Sequence, residues 1–450
     1  MFKVKKCLKF DFTVYSAPVI AIYLALSFVF SDFGISAVIG AFLLCVWTGI
    51  CFLYFLFVKK GKLELKAPHL LVLALNLFVF VNILRNFSLD RTVIYYVIIL
   101  VSGSVLFWIS SPPTDKSLSV TRYSVVGVAL LFSVVNIIYD YFPKQLTKVA
   151  FSIITKTSIS YNKRLALAGY GFAFGEDVGY TAFIIAFGLA IVWFSIKDKN
   201  LKTHLPIIFI LTFGLFAIQR RGELIVCMVA VTAVTFIKWL KSRKWNVSPI
   251  SNIKTIAAPI LCIVLTFIVF NFTTINSRYD YHQYLSSDSS QIEEDEENME
   301  DIDNTDIDID KLGNGRIALW KLAIGGFLDE PILGNGWRSF KDMAPESGNI
   351  HATNAHNVYL QLLCETGVVG FCIAGTVFVW MLVLILKKTS KTTDQKNCKY
   401  YLLGIYITLA MLVQGLIDNS LYYVYWIQAF QIMLFFVFSR KETQQSQITD

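Results

Sequence analysis

Charged residues are scarce in this sequence. Asp, Glu, Lys and Arg make up 16% of its 450 residues, well below the share of about 25% found in soluble proteins. Hydrophobic residues make up 55%, 37 residues are Phe, and the mean hydropathy is +0.58. This balance excludes a water-soluble globular protein and indicates an integral membrane protein.

The sequence also lacks a CxxC pair, although it has 8 cysteines. Six of them fall inside apolar stretches, at positions 45, 51, 227, 262, 364 and 372, while Cys7 and Cys398 lie on the predicted cytoplasmic side. Neither a disulfide framework nor a zinc site is indicated. The first apolar stretch lacks a small-residue cleavage site, so we expect it to stay in the membrane as a helix.

About twelve apolar stretches are long enough to cross a bilayer core of about 30 Å. They cover residues 14–31, 35–58, 68–84, 92–110, 123–140, 177–195, 205–219, 223–240, 255–274, 357–386, 400–418 and 421–438. The predicted fold class is therefore an all-α polytopic membrane protein with about twelve transmembrane helices.

The basic residues test this count, because short loops rich in Lys and Arg stay in the cytoplasm. With a cytoplasmic N-terminus, 25 of the 40 basic residues fall on the inside segments, and each inside segment is positive. Both termini are then cytoplasmic. The net charge of +8 is spread over many short loops, so the lipid bilayer is the expected partner and nucleic acid is not.

The spans divide the chain into four parts. Residues 1–274 hold the first nine spans with an outside loop at 141–176, residues 275–355 form a large outside loop between the ninth and tenth spans, residues 356–439 hold the last three spans, and residues 440–450 form a cytoplasmic tail. The large loop has 17 acidic and 6 basic residues, a net charge of −11.

Two segments of this large loop differ in character. The acidic run 286–310 has few apolar residues and is predicted to be disordered; the alternative of a calcium loop lacks the required glycine and ligand spacing. Residues 315–328, "GRIALWKLAIGGFL", place apolar residues at helical spacing and predict an amphipathic helix at the outer surface.

Arginines stand out at the junction of the seventh and eighth spans, in "FAIQRRGELIV". Arg220 and Arg221 lie outside, against the positive-inside bias. A hairpin turn in which Glu223 neutralises one arginine would explain them equally well. Together with Arg316 and His356 on the same side, however, they favour a transferase with a lipid diphosphate donor, since guanidinium groups bind phosphate and imidazole accepts protons.

The stretch "GNGRIALWKLAIGGFLDEPILGNGWRSF", followed by "NAHNVYLQLLCETGVVGF", resembles the signature of the O-antigen ligase and polymerase family. These proteins are membrane glycosyltransferases of the GT-C type. The resemblance implies that His356 is the essential histidine, Arg316 the loop arginine and Arg221 the arginine of a Ser-Arg-Gly stretch. This chain has Arg220 where the serine is usual, so either arginine could face the phosphates.

Five further residues are predicted to bind substrate: Arg220, Asn357, Arg338, Tyr359 and Asp418. Asn357 could cap the tenth span or orient His356, and Asp418 is as compatible with a turn cap as with the substrate cavity. Glu365 follows His356 by nine positions, on the opposite helix face, so we do not expect it to pair with His356. Gly367 and Gly370 are expected to permit close helix packing.

The resemblance implies an inverting, metal-independent glycosyltransferase without a cofactor, in the bacterial inner membrane with its active site facing outward. Its donor would be a polyprenyl diphosphate-linked oligosaccharide and its acceptor a glycan or lipid-linked glycan, with a chain-length regulator or other assembly proteins as partners. A polymerase is the more frequent activity in the family; a ligase that transfers to lipid A-core or protein is the alternative.

A lipid-linked oligosaccharide flippase is the alternative from another class. Transporters carry charges or broken helices near the middle of the membrane and show internal repeats, whereas the charges here lie at the outer face. A purely structural scaffold would not explain arginines placed against the topology rule.

Overall fold

The protein is all-helical in the part of the chain that the computed structural model describes, and no strand occurs there. The described residues are 11–33, 37–59, 66–86, 91–167, 170–175, 177–244, 249–273, 316–343, 354–392 and 395–439. The acidic run 286–310 and the tail 440–450 lie outside these ranges.

The helices before residue 274 are numbered α1 to α12 in chain order. They are α1 Ser16–Leu26, α2 Phe28–Asp32, α3 Ala37–Leu53, α4 Ala67–Asn86, α5 Arg91–Ile109, α6 Asp115–Tyr141, α7 Pro143–Ala150, α8 Lys156–Leu167, α9 Val178–Ser195, α10 Leu201–Ala217, α11 Arg221–Lys244 and α12 Pro249–Thr273. Short 3-10 helices cover Phe12–Tyr15 and Asp198–Asn200, and α3 continues as a π-helix over Tyr54–Lys59.

Five helices occur among the described residues after position 315, the first two of them within the large loop. They are α13 Arg316–Asp329, α14 Phe340–Met343, α15 Val358–Lys391, α16 Gln395–Gln414 and α17 Val424–Val437. The segment predicted as an amphipathic helix over 315–328 corresponds to α13, and the outside loop 141–176 contains α7 and α8.

Within the described residues, seven helical segments are long and apolar enough to cross a membrane. They are Ile39–Lys59, Ala67–Arg85, Asp115–Tyr141, Val178–Ser195, Arg221–Lys241, Ile253–Thr273 and Val358–Lys391. Four shorter apolar segments accompany them: Phe12–Leu26, Val93–Ile109, Leu201–Ala217 and Val424–Val437. The predicted span 400–418 falls on α16, which meets neither criterion. The chain is a multi-pass membrane protein, and the number of twelve spans stays a prediction.

Helix α9 forms the centre of the molecule. Its apolar segment is 94% buried, and it packs against α6, α10, α11 and α16. By contrast, the segments Ile39–Lys59 of α3 and Ile253–Thr273 of α12 are only 22% buried and expose large apolar side chains such as Phe42, Phe57 and Phe272. Exposed apolar surface of this extent fits contact with lipid.

Side-chain and backbone hydrogen bonds connect the ends of different helices, and these bonds fall into two sets. At one end they join Arg85 to Gly334, Tyr141 to Thr273 and Gly171 to Ile218. At the other end they join Lys59 to Ser111, Arg122 to Ser195 and Lys241 to Ser390. The first set comprises ends that the sequence predicts to be outside, and the second comprises ends that it predicts to be inside. Each of these bonds therefore joins two segments that the sequence predicts to lie on the same side of the membrane.

Helix α15 is interrupted, whereas the sequence predicted one continuous span over 357–386. Gly367 has φ +62°, a left-handed conformation that only glycine adopts without strain. Its ideal Cβ would lie 2.3 Å from the carbonyl oxygen of Ile332. Gly367 thus permits a close approach of the turn after α13, while Gly370, whose Cβ would lie 2.8 Å from Phe78 of α4, permits the expected helix packing.

The turn that follows α13 occupies the interruption. The backbone N–H groups of Asn335 and Gly336 donate to the carbonyls of Cys364 and Glu365, at 3.0 and 2.7 Å. On the other side, the N–H groups of residues 368 and 369 donate to the carbonyls of residues 331 and 332, at 2.9 and 3.2 Å. Backbone groups that a helix break leaves without partners are costly in a membrane, and these four bonds satisfy them.

Candidate active site

Asp418 is the centre of a polar cluster in the connection 415–423 between α16 and α17. Its side chain is 3% exposed. One carboxylate oxygen, Oδ1, accepts hydrogen bonds from His356 Nδ1 at 3.2 Å, the Tyr423 hydroxyl at 3.1 Å and the Asn419 N–H at 2.8 Å. The other, Oδ2, accepts from Arg220 Nη2 at 2.9 Å. Four donors on one buried carboxyl group stabilise its ionised form.

His356 lies at the start of α15 with φ +48°, and its N–H donates to the Asn354 side chain at 3.0 Å. An ionised carboxylate only accepts hydrogen bonds, so the bond to Asp418 places a proton on Nδ1. In the neutral ring Nε2 is then the acceptor. The side chain is 37% exposed, which leaves the ring open to a reacting hydroxyl group.

Asn357 is the N-cap of α15. Its Oδ1 accepts hydrogen bonds from the N–H groups of Tyr359 and Leu360, at 3.0 and 3.1 Å, and its Nδ2 donates to the Leu416 carbonyl at 3.3 Å. Both polar atoms are therefore used to begin the helix and to join it to the 415–423 connection. Of the two roles considered for Asn357, capping the helix or orienting His356, its hydrogen bonds fit capping.

Arg220 is half-buried and held between two carboxylates. Its Nε lies 3.0 Å from Glu223 Oε2, its Nη2 lies 2.9 Å from Asp418 Oδ2, and Glu223 also accepts from the Gln414 amide at 3.2 Å. Burial alone would lower the pKa of Arg220, but the carboxylates of Glu223, Asp418 and Asp177 outweigh it and raise the pKa above its ordinary value. Arg220 therefore stays charged and compensates buried acids.

Arg221 differs from its neighbour, because it is exposed at the first position of α11. The next residue, Gly222, faces the 415–423 connection: its ideal Cβ would lie 3.0 Å from Ile417. Arg221 is thus fixed beside the cluster by the start of its helix, while its guanidinium group reaches solvent. Of the two arginines, Arg221 is the one with the freer surface for an anionic ligand.

Arg316 begins α13, which packs along the first turns of α15. The contact buries Leu319 and Ala323 against Ala355 and Cys364. Trp320 Nε1 also donates to the Ala355 carbonyl at 3.0 Å, directly before His356. Arg316 lies one turn before Trp320 on the same helix face, so it projects toward the His356 end of α15. Within the described ranges, no hydrogen bond joins Arg316 to His356 or Asp418.

Arg338 contributes its backbone to a second cluster around Glu365. Its φ is +62°, and its N–H donates to Glu365 Oε2 at 2.7 Å. The Tyr422 hydroxyl donates to the same oxygen at 2.6 Å, and Gln361 Nε2 donates to Oε1 at 2.8 Å. As expected, Glu365 does not pair with His356 in the structure.

Gln361 connects the two clusters. Its Oε1 accepts hydrogen bonds from the Ala355 N–H, at 2.9 Å, and from the Asn419 side-chain amide. Glu365 and Gln361 thereby fix the residues that precede His356 and follow Asp418. Sequence patterns do not indicate this role for Gln361, although a glutamate inside an apolar helix, such as Glu365, signals a buried acid that needs donors.

An apolar cavity lies near the polar cluster. Its walls are formed by α15, by α16 and by Ser420 and Leu421 of the 415–423 connection. Tyr359 lines it and donates from its hydroxyl group to the Leu412 carbonyl at 2.6 Å. No group of three or more His, Cys, Asp or Glu side chains is placed to hold a metal ion among the described residues. Metal independence stays a prediction.

Comparison with known families bears on the same residues. Residues 206–375 match the sequence model of the family described as O-antigen ligase. This match confirms the resemblance to the O-antigen ligase and polymerase family over residues 206–375. The matched region contains Arg220, Arg221, Arg316 and His356 but ends before Asp418. The chain matches no curated protein.

Proposed function

We propose that this protein is a glycan polymerase of surface polysaccharide synthesis, such as O-antigen or capsule. It would transfer a polyprenyl diphosphate-linked oligosaccharide to a hydroxyl group of an acceptor glycan at the outer face of the bacterial inner membrane. Membership of the family supports glycosyl transfer in a membrane with lipid-linked glycans. The choice of a polymerase rests on the greater frequency of that activity in the family.

One observation carries the proposal: Asp418 pairs with both His356 and Arg220, which are 62 and 198 residues away in sequence. The pairing brings a potential base and a permanent cation together at the end of the helix bundle where α13 begins. A base for the acceptor and cations for a diphosphate are the groups that metal-free glycosyl transfer requires.

In this mechanism the acceptor oxygen attacks the anomeric carbon of the donor from the side opposite to the diphosphate. The bond between this carbon and the phosphate oxygen breaks, its electron pair leaves with the diphosphate, and the configuration inverts. His356 Nε2 takes the proton of the acceptor hydroxyl, and the Asp418 carboxylate stabilises the resulting imidazolium ion.

The arginines stabilise the leaving diphosphate. Arg221 and Arg316 are assigned to the phosphate oxygens, because two of the three nitrogens of Arg220 already bind Glu223 and Asp418. Arg220 then keeps the acidic residues compensated while the anionic donor is bound. Removal of one such donor to a developing negative charge typically lowers kcat about 100- to 1,000-fold.

The test is transfer by the purified protein in nanodiscs, with a lipid diphosphate-linked repeat unit as the sole substrate and EDTA present. We expect a ladder of longer glycans from the wild type and its loss in His356→Ala and Arg316→Ala. Matched controls are His204→Ala, at the other end of α10, and Lys321→Ala, an exposed cation on α13. Both controls should keep the ladder.

Three other results would contradict parts of the proposal. Undiminished ladders from both site variants would exclude the assigned residues. A product that forms only after addition of a separate lipid A-core or protein acceptor would identify a ligase. Loss of the wild-type ladder in EDTA, with recovery on addition of a divalent cation, would exclude metal independence.

A further inference from the structure

Three non-glycine residues have a left-handed backbone among the described residues. They are Gln219, Arg338 and His356, with φ +55°, +62° and +48°. This conformation is costly for a residue with a Cβ, and strained residues of this kind cluster at functional sites. All three border the polar clusters described above. Gln219 directly precedes Arg220 in the chain. The N–H of Arg338 donates to Glu365 at 2.7 Å, and His356 is the proposed base.

The backbone of Gln219 forms the corner between α10 and α11. Helix α10 ends at Ala217, α11 begins at Arg221, and the Gln219 N–H donates to the Phe216 carbonyl at 3.0 Å. Helices usually have glycine at a left-handed position of this kind, because glycine has no Cβ. Glycine would make the same corner without strain, so the turn alone does not account for a glutamine here.

The side chain of Gln219 is exposed and makes no hydrogen bond within the part of the chain that the structure describes. Arg221, two positions later, is likewise exposed. Arg220 between them points into the polar cluster, where its Nη2 lies 2.9 Å from Asp418 Oδ2. The corner therefore presents an amide and a guanidinium group to solvent, on either side of the arginine that Asp418 links to the proposed base.

We propose that Gln219 binds the sugar of the donor that is joined to the diphosphate, and so contributes to donor specificity. The inference rests on the proposed function. A phosphate oxygen only accepts hydrogen bonds, which suits the guanidinium group of Arg221. A sugar hydroxyl group both donates and accepts hydrogen bonds, and the amide of Gln219 can also do both.

The geometry of the reaction distinguishes the donor sugar from the acceptor sugar. The first sugar of the donor is bonded directly to the diphosphate, so it lies within reach of a side chain that neighbours Arg221. The acceptor approaches the anomeric carbon from the opposite side, where His356 takes its proton. Gln219 is therefore expected to contact the donor and not the acceptor.

Two substitutions separate the side chain from the backbone strain. Gln219→Ala removes the amide and keeps the strain, whereas Gln219→Gly removes both. The probe is a donor whose own acceptor hydroxyl group is capped, titrated against the protein in nanodiscs without any acceptor. We expect both variants to raise the Kd about three- to tenfold, the scale of one net hydrogen bond. Only Gln219→Gly should also raise the unfolding temperature, since glycine adopts φ +55° without strain.

Gln145 provides the matched control, because it is an exposed glutamine on the helical backbone of α7. Gln145→Ala should keep the Kd of the wild type, and Gln145→Gly should lower the unfolding temperature, as glycine does within helices. A wild-type Kd for Gln219→Ala would overturn the inference. A lower unfolding temperature for Gln219→Gly would contradict the strain on which the inference depends.

Deoxy sugars identify the contacted group. In the wild type, a capped donor that lacks the contacted hydroxyl group of its first sugar should bind about three- to tenfold more weakly than the full donor. In Gln219→Ala the two donors should bind equally, because the partner of that hydroxyl group is already lost. The same coupling to a deoxy acceptor, measured as the KM of the acceptor in transfer, would overturn the assignment to the donor.

Binding and transfer can fail independently of each other. Binding of the capped donor that depends on Gln219, without a glycan ladder from the wild type and the uncapped donor, would support the inference and contradict the proposed function. A wild-type ladder together with an unchanged Kd in Gln219→Ala would overturn the inference and leave the proposed function standing.

Discussion

Asp418 joins residues that the sequence keeps far apart. The motif indicates His356 and Arg316, and the arginine pair stands out against the topology rule. The contact between Asp418 and His356, however, depends on how α15 and α16 pack, and no local pattern encodes it. For this reason the sequence alone does not decide whether Asp418 caps a turn or lines the substrate cavity.

Replacement of Asp418 by asparagine tests its effect on the histidine ring. The asparagine amide can donate to Nδ1, which would move the ring proton to Nε2 and remove the acceptor for the hydroxyl proton. We expect Asp418→Asn to lower the transfer rate by about 100-fold or more, the scale of lost general base catalysis. Tyr423→Phe, which removes a single hydrogen bond to the same carboxylate, should cost less than tenfold. Activity of Asp418→Asn within twofold of the wild type would contradict this role.

The adjacent arginines should respond differently to substitution. Arg220→Ala leaves Glu223 and Asp418 without their cation, and breaking a buried ion pair in this way costs about 3–5 kcal/mol. We expect a lower unfolding temperature and no detectable transfer. Arg221→Ala should keep the unfolding temperature of the wild type and raise the KM for the donor at least tenfold, because Arg221 is exposed.

Thermal unfolding in detergent and donor titration separate these two effects. Arg220→Lys restores a positive charge and should recover part of the unfolding temperature. A stable Arg220→Ala variant together with an unchanged KM in Arg221→Ala would reverse the assignment and make Arg220 the phosphate ligand.

The elements most accessible to prediction are the long apolar helices. Their positions follow from hydropathy, since a run of apolar residues in a membrane has few alternatives to a helix. The interruption of α15 does not follow, because residues 368–386 continue the apolar pattern without a visible boundary. Only the combination of Gly334, Gly336 and Gly367 hints that two backbone segments approach closely, and their pairing requires the folded structure.

Gly367→Ala tests the interruption. Alanine at φ +62° and ψ −171°, a conformation that is essentially restricted to glycine, costs on the order of 1–3 kcal/mol, and its Cβ would also clash with the Ile332 carbonyl. The turn would then be displaced, and α13 with Arg316 would move with it. We expect a lower unfolding temperature together with a reduced kcat. Gly49→Ala, a helical glycine in open space, should leave the unfolding temperature unchanged or slightly raised. Equal stabilities of the two variants would contradict the strain assigned to Gly367.

At the scale of the whole molecule, the hydrogen bonds between helix ends are consistent with the topology that the basic residues predict. At one end, hydrogen bonds join α4 to the turn after α13, α6 to α12, and Gly171 to the residue after α10; at the other end they join α6 to α9 and α11 to α15. These contacts establish which ends lie together. The positive-inside rule alone assigns the end with His356 to the outside of the membrane.

Cysteine accessibility in intact cells tests this assignment. We expect a membrane-impermeant maleimide to label Ser152→Cys and Glu330→Cys, which are exposed at the same end as His356. Lys199→Cys and Lys391→Cys, exposed at the opposite end, should be labelled only after permeabilisation. The unsubstituted protein provides the background, because its exposed Cys372 lies on the apolar surface of α15. The reverse pattern would place His356 in the cytoplasm, where a lipid-linked glycan on the outer leaflet could not reach it, and would exclude the proposed function.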